Sequence, residues 1–136
     1  MRQVFDSFAG LDNFLVYLSV SIAYLAVFVT LYLRVTPYRE IQLIREGNMA
    51  ASFSLSGSIL GFVIPLAASI QHSVSLVDMA IWGLIAMLVQ IAAFVVGKLM
   101  IPSITDDIPA NKTSAGFFLG CLSLGVGLLN AACMSY

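Results

Sequence analysis

The sequence predicts an all-α membrane fold: four transmembrane helices arranged as two parallel two-helix repeats. Three observations carry this reading. Of 136 residues, 60% are hydrophobic and 10% charged, with a mean hydropathy of +1.00, whereas soluble domains carry roughly 25% charged residues. Four stretches, about 13–33, 50–71, 76–98 and 115–135, each match the ~20 apolar residues that a bilayer core requires. A shift of 64 residues then lays Ile44 on Ile108, Ala51 on Ala115, Phe53 on Phe117, Leu55 on Leu119, Leu60 on Leu124, Gly61 on Gly125 and Ala67-Ala68 on Ala131-Ala132. The same shift places Arg34 on Lys98. The chain reads as a single integral membrane domain, 1–136, with repeat 1 at about 13–71 and repeat 2 at about 76–135. Two spans per repeat make the halves run the same way, related by an axis along the membrane normal.

Residues 1–12 place Val4, Phe5, Phe8 and Leu11 on one helical face, an amphipathic lead-in at headgroup level. The first apolar run starts near Phe14 and ends in Tyr-Leu-Arg, not in a small-residue cleavage site. It is therefore expected to stay as a span, not to be removed as a signal peptide. Its Tyr17 and Tyr32 lie near opposite ends, where amphipathic rings prefer to sit. In the loop 34–49, Thr36 suits a cap, Pro37 a first helical position and Gly47 the position past the end. A short surface helix follows, with Tyr38, Ile41 and Ile44 on one face and Arg39, Glu40 and Glu46 directed elsewhere.

From Asn48 to Ala68 there is no charge, and Ala50, Ser54, Gly57, Ser58, Gly61, Pro65 and Ala68 share one face. In lipid, such a small-residue stripe, with Gly57 and Gly61 as a GxxxG core, lets two helix backbones touch. Pro65 lacks the donor for a bond to residue 61 and is expected to kink the helix. The third span has a second small face, Gly83, Ala86, Gln90, Ala93 and Gly97. The loop 98–114 carries Asp106, Asp107 and Lys112 between two prolines. The fourth span has Gly116, Gly120, Ser123 and Gly127 on one face and Cys121, Gly125 and Ala132 on another, so it is expected to be packed on both sides and central. The predicted packing set is Ser54, Gly57, Gly61, Gly116, Gly120, Gly125 and Gly127. With four spans, loops 34–49 and 98–114 share a side and hold Arg34, Arg39, Arg45, Lys98 and Lys112, against Arg2 alone on the other. The basic side is expected to be cytoplasmic, with both termini outward.

Ile44-Arg45-Glu46-Gly47-Asn48, the alanines behind it, and Leu55-Ser56-Gly57 with Leu60-Gly61 carry a family likeness. With the four-span, two-repeat layout, the whole chain resembles the YjfL-like small bacterial inner-membrane proteins, domain-of-unknown-function family 350. That resemblance implies a protein of the bacterial inner membrane with no established activity; outward termini are then periplasmic. It also implies an association with envelope-stress and polyamine-related genes. In the second repeat Asn111-Lys112 stands where Gly47-Asn48 stands, which assigns any role of the Gly-Asn pair to the first half.

The polar residues of the spans are the candidate chemistry. Gln90 and Asn130 are amides in hydrocarbon, which need partners; they form interhelical hydrogen bonds or line a polar path. Ser54, Ser56 and Ser58 either pack, bonding back to an i−4 carbonyl, or line the same path. Arg39, Arg45, Glu46, Gly47 and Asn48 are a candidate cytoplasmic contact for headgroups or a protein; Gly47 and Asn48 also suit a left-handed helix-ending turn. The one histidine, His72, lies about four turns from Ser56–Ser58, too far to act as their general base. A single histidine also excludes a histidine metal site. Asp106 and Asp107 read as solvated. Cys121 and Cys133 lie twelve apart on one helix, cannot bridge each other, and read as buried small hydrophobes. No catalytic residue, metal or cofactor is expected, and a net charge of −1 gives no reason for nucleic acid. No charged residue lies within a span, which disfavours proton-coupled export and voltage sensing.

The expected partners are the lipid bilayer, further copies of the chain in a homo-oligomer, and a cytoplasmic protein. The leading functional expectation is a non-enzymatic membrane protein acting by self-association or by docking partners at its cytoplasmic face. The alternative is a homo-oligomeric channel or facilitator for a small solute or ion, lined by Gln90 and the serines of the second span. An enzyme acting on lipids lacks a nucleophile–base pair.

Overall fold

All four apolar stretches are helical in the computed structural model, which describes residues 1–134. In chain order the helices are α1 (Arg2–Phe8), α2 (Leu11–Val35), α3 (Glu40–Arg45), α4 (Met49–His72), α5 (Leu76–Met100), α6 (Ile104–Asp107) and α7 (Thr113–Cys133). The helices α2, α4, α5 and α7 are long and apolar enough to cross a membrane. The short helices α3 and α6 lie together at one end, termed here the loop end, and each forms an elbow between two long helices.

The closest contact in the molecule is between α4 and α7, which run parallel. A Cβ on Gly57 would collide with the backbone of Gly120, one on Gly116 with Ala50, one on Gly120 with Phe53, and one on Gly127 with Gly61. A Cβ on Gly61 would strike the Ser123 carbonyl. Each of these positions tolerates only hydrogen, so the two backbones touch through van der Waals contact and need no ionic glue. Ser54, Ser58 and Ser123 are also buried along this side of the bundle.

The centre is α4, not α7. α4 packs on α7, α5, α3 and α2, whereas α7 rests on α4, α5 and α6. On the second small face of α7, expected to pack, Cys121 and Ala132 are exposed and nothing lies within 4 Å of a Cβ built on Gly125. Gly125 therefore leaves the packing set. Small residues permit close approach but do not compel it, and α2 packs on α4 and α5. Cys133 is exposed as well, so neither cysteine is a buried hydrophobe. Helix α4 continues through the buried Pro65.

The elbow between α2 and α4 also differs from expectation. Thr36 ends α2, its N–H bonding the Tyr32 carbonyl, and the short helix starts at Glu40 with Arg39 as its N-cap. The inward face of this helix is Glu40, Leu43 and Ile44, an i, i+3, i+4 stripe, with Ile41 exposed and Tyr38 buried from the connector before it. Gly47 then takes a left-handed φ of +86° and Asn111 one of +60°. The two turns match bond for bond: Gly47 N–H to the Ile44 carbonyl and Asn111 N–H to that of Ile108, both 3.0 Å. Asn48 N–H bonds the Leu43 carbonyl at 2.9 Å, and Lys112 N–H that of Asp107 at 3.0 Å. Asparagine tolerates this backbone better than other side chains, so the second half keeps the turn without its glycine. The role assigned to Gly47 is thus not confined to the first half.

The seam between α4 and α7 generates a direct prediction. Gly57→Ile or Gly61→Ile should lower thermal stability and folded yield sharply, because overpacking typically costs about 1–3 kcal/mol and backbone cannot move aside. Gly125→Ala should stay within about 0.5 kcal/mol of wild type. Thermal unfolding in detergent, followed by fluorescence-detected size exclusion, reads both.

Candidate functional site

Inside the loop-end half of the bundle, polar side chains from five elements are buried. Tyr32 of α2 is fully buried and its hydroxyl lies 3.4 Å from Ser54 Oγ on α4. One turn further in, Ser58 Oγ is 3.4 Å from Ser123 Oγ of α7. Gln90 of α5, 1% exposed, donates from Nε2 to the Ser123 carbonyl at 3.2 Å. Its Oε1 finds no hydrogen-bond partner among the described residues and faces Gly61. Together with Tyr38 and Glu40 at the entrance, these groups form a file that follows α4 from Ser54 to Gly61, about 10 Å at 1.5 Å per residue.

Glu40 is the anomaly at the entrance. It is 0% exposed, yet neither carboxylate oxygen has a hydrogen-bond partner among the described residues, and no lysine or arginine pairs with it. The neighbouring Tyr38 hydroxyl is likewise buried and unpaired. Burial pushes the Glu40 carboxyl up to about 8; the nearby Tyr38 and Thr36 hydroxyls favour the charged form and oppose this only in part. Burial, and then the adjacent Glu40, hold the Tyr38 hydroxyl in its neutral form. Beside them is an open cleft of about 670 Å³ lined by residues that include Thr36, Arg39, Glu40, Gln42 and Arg45.

Past Gln90 the file stops. The rings of Phe28 and Phe62 stack with centroids 4.5 Å apart, and Leu66, Met79 and Met87 fill the bundle beyond them. At the far end two hydroxyls tie the helices: Tyr24 donates to the Ala80 carbonyl and Ser69 to that of Met79.

The other sequence candidates fall into three places. Ser54 and Ser58 belong to the file, but Ser56 is exposed on the outer side, in a shallow groove with Phe53, Gly57 and Leu60 facing Phe117, Gly120, Cys121 and Leu124. Asn130 is half-buried near the far end of α7, its Nδ2 without a hydrogen-bond partner among the described residues, away from Gln90. Of the loop cluster, Arg39, Arg45, Glu46 and Gly47 are exposed, while Asn48 is buried. Asn48 Oδ1 accepts from Ala51 N–H at 2.9 Å, capping α4, and its Nδ2 donates to the Ile108 carbonyl at 3.0 Å. Asn111 answers from the other elbow, its Oδ1 accepting from Ala50 N–H at 3.2 Å. Asp107 pairs with Lys112 Nζ at 3.2 Å and accepts from Ser103 Oγ at 2.8 Å. No group of three or more potential metal-ligating side chains occurs among the described residues.

Sequence reasoning missed Tyr32, Tyr38 and Glu40. The i, i+3, i+4 spacing of Glu40, Leu43 and Ile44 was the available signal; choosing the more apolar face of Tyr38, Ile41 and Ile44 passes over it.

The chain matches the family model described as Domain of Unknown Function (DUF350) over residues 6–134. It belongs to the DUF350 family. This DUF350 chain is 38% identical over 123 residues to the UPF0719 inner membrane protein YjfL of Escherichia coli (strain K12), covering 90% of this chain and 93% of that one. It is 28% identical over 118 residues to the UPF0719 transmembrane protein YshE of Bacillus subtilis (strain 168), covering 85% and 88%. No solved structure matches. This DUF350 protein is an all-helical membrane protein of the inner-membrane type, with lipid as its surroundings.

The buried carboxyl makes stability depend on pH. Glu40 titrates at about 8 when folded against an ordinary 4.5, so the folded state holds the proton more tightly. Its contribution is fully present below pH 4.5 and is lost progressively as pH rises to about 8. Glu40→Gln should flatten the fall in melting temperature across that window, read by thermal unfolding at stepped pH.

Proposed function

We propose that this protein is a non-enzymatic facilitator for a small polar solute or ion, and that the buried file is its path. The observation that carries the reading is the continuity of buried polar side chains from Glu40 to Gln90, several with unpaired atoms. Buried polar groups left unpaired cost free energy, so a file of this kind favours water or a small polar guest. The Phe28–Phe62 stack acts as a hydrophobic constriction, the kind of barrier that gates by dewetting. The path lies within one chain, not around a symmetry axis as the sequence alone suggests. The basic loop end faces the cytoplasm in this reading and both termini face the periplasm, by the excess of arginine and lysine there.

A second reading, self-association or partner docking, has its own support. Only Phe28 and Tyr32 of α2 are buried, and gaps of about 350 and 160 Å³ separate its outer half from α4. A second copy resting on α2 would cover this side, and the exposed Arg39, Arg45 and Glu46 offer a charged face to a cytoplasmic protein. The glycine stripes give it no further support, since Gly57, Gly61, Gly116, Gly120 and Gly127 are consumed within the chain.

We also read the two hairpins as duplicates. Supporting this, α3 starts at Glu40 and α6 at Ile104, α4 at Met49 and α7 at Thr113, each pair 64 residues apart. Phe53 and Phe117, equivalent under that shift, meet edge to face at 5.6 Å.

Liposome flux with purified protein tests the path. Phe62→Ala should raise ion or small-solute leak about tenfold, as a barrier lowered by ~1.4 kcal/mol does, and Gln90→Leu should reduce it. Absence of leak through wild type and Phe62→Ala alike, for every small ion and solute tried, would remove the reading. In that case native mass spectrometry from lipid showing a dimer through α2 would favour the second.

A further inference from the structure

Nothing about the elbow fold requires an acid at position 40. The equivalent residue of the second elbow, 64 positions on, is Ile104; it too opens a short helix and is 0% exposed. One half therefore fills this buried place with an apolar side chain and the other with a carboxyl group whose oxygens have no partner. A carboxylate alone in such a place pays a large desolvation cost with no compensating pair. A group retained at that cost, at the entrance to a polar file, points to a ligand for it.

The surroundings narrow the ligand. A metal cation needs several oxygen ligands at once, and no group of three or more His, Cys, Asp or Glu side chains occurs among the described residues. The groups facing it are Tyr32 from α2 and the Tyr38 and Thr36 hydroxyls of the connector, while Ser54 of α4 lies against the Tyr32 hydroxyl. From α5 the ring of Phe94 packs on Tyr32, and Lys98 is exposed. Arg39 and Arg45 line the outer cleft, where they supply positive charge without pairing with the carboxylate. A proton needs only one carboxylate oxygen, so it is the ligand this set favours.

We propose that Glu40, with Tyr38 and Thr36 beside it, is a proton-binding site at the loop end of the polar file. The carboxylate takes a proton from hydronium in the cleft, forming the carboxylic acid and leaving water, and returns it by the reverse step. The charge at the entrance thus follows the pH of the loop-side solution. This deepens the path reading and rests on the same file.

The test is infrared difference spectroscopy of the full-length protein in lipid vesicles, stepped from acid to alkaline buffer. The proposal expects a protonated-carboxyl carbonyl band that persists well above the usual carboxylate range and is lost in Glu40→Gln. Tyr38→Phe removes a hydroxyl that favours the charged form, so its midpoint should move upward; this decides the matter if Glu40→Gln does not fold. A band unchanged in Glu40→Gln, a midpoint in the ordinary range, or no shift in Tyr38→Phe overturns the proposal. So does a midpoint that falls as sodium or potassium is raised, the mark of a metal-cation site. The two readings separate cleanly: a titrating band with no flux removes the path and leaves the proton site. Flux that ignores pH, with no titrating band, does the reverse.

Discussion

Where α4 meets α7 no side chain stands between the two backbones: Gly57 lies against Gly120, Gly116 against Ala50, and Gly61 against Ser123 and Gly127. The distance between helix axes and the register along them are set together by this contact, since sliding either helix would bring a side chain into the seam. Register in turn places Ser58 opposite Ser123 and brings the Ser123 carbonyl within reach of Gln90. In lipid, where apolar surface gains little from being buried in protein, such close contact is the main attraction available to helices. The serines and the glutamine add hydrogen bonds that hydrocarbon could not replace.

The loop end is held by a different device. Each elbow finishes in a left-handed residue, Gly47 or Asn111, and an asparagine from each reaches the other: Asn48 to the Ile108 carbonyl, Asn111 to the Ala50 N–H. The starts of α4 and α7 are thereby fixed in the orientation that the seam needs. With both ends of that arrangement fixed, α3 is pressed against the bundle and carries Glu40 inward. The burial of the carboxyl is a consequence of how the elbows lock, not of any attraction between that group and its surroundings.

Much of this was legible in the residues. The four spans follow from hydropathy, and the seam from the spacing of Gly57, Gly61, Gly116, Gly120 and Gly127. What was not legible is instructive. Gly125 and Cys121 satisfy the same small-residue pattern and face outward, because a pattern states what a face permits and not which neighbour arrives. Glu40 was missed because a carboxyl is expected to face solvent, so the inward face was drawn through Tyr38 and Ile41. Thr36-Pro37, which reads as a cap and first turn, is used to end α2, and Tyr38 lies outside the short helix. Ser56 lies between Ser54 and Ser58 in sequence and on the opposite side of α4 in space, which a list of serines does not reveal.

Helix α2 has only two buried residues, Phe28 and Tyr32, and both belong to the interior machinery: one ring closes the file, the other lies along it. Its outer half stands off from α4. The helix is not detached there, because Tyr24 donates to the Ala80 carbonyl and its ring lies against Gly83 of α5, so α2 is held to the bundle at that tie and at the two buried rings. Were the proposed path to conduct, a change in membrane thickness or lateral tension that tilts α2 about the Tyr24 tie would shift Phe28 against Phe62 and make lipid composition an input to the barrier.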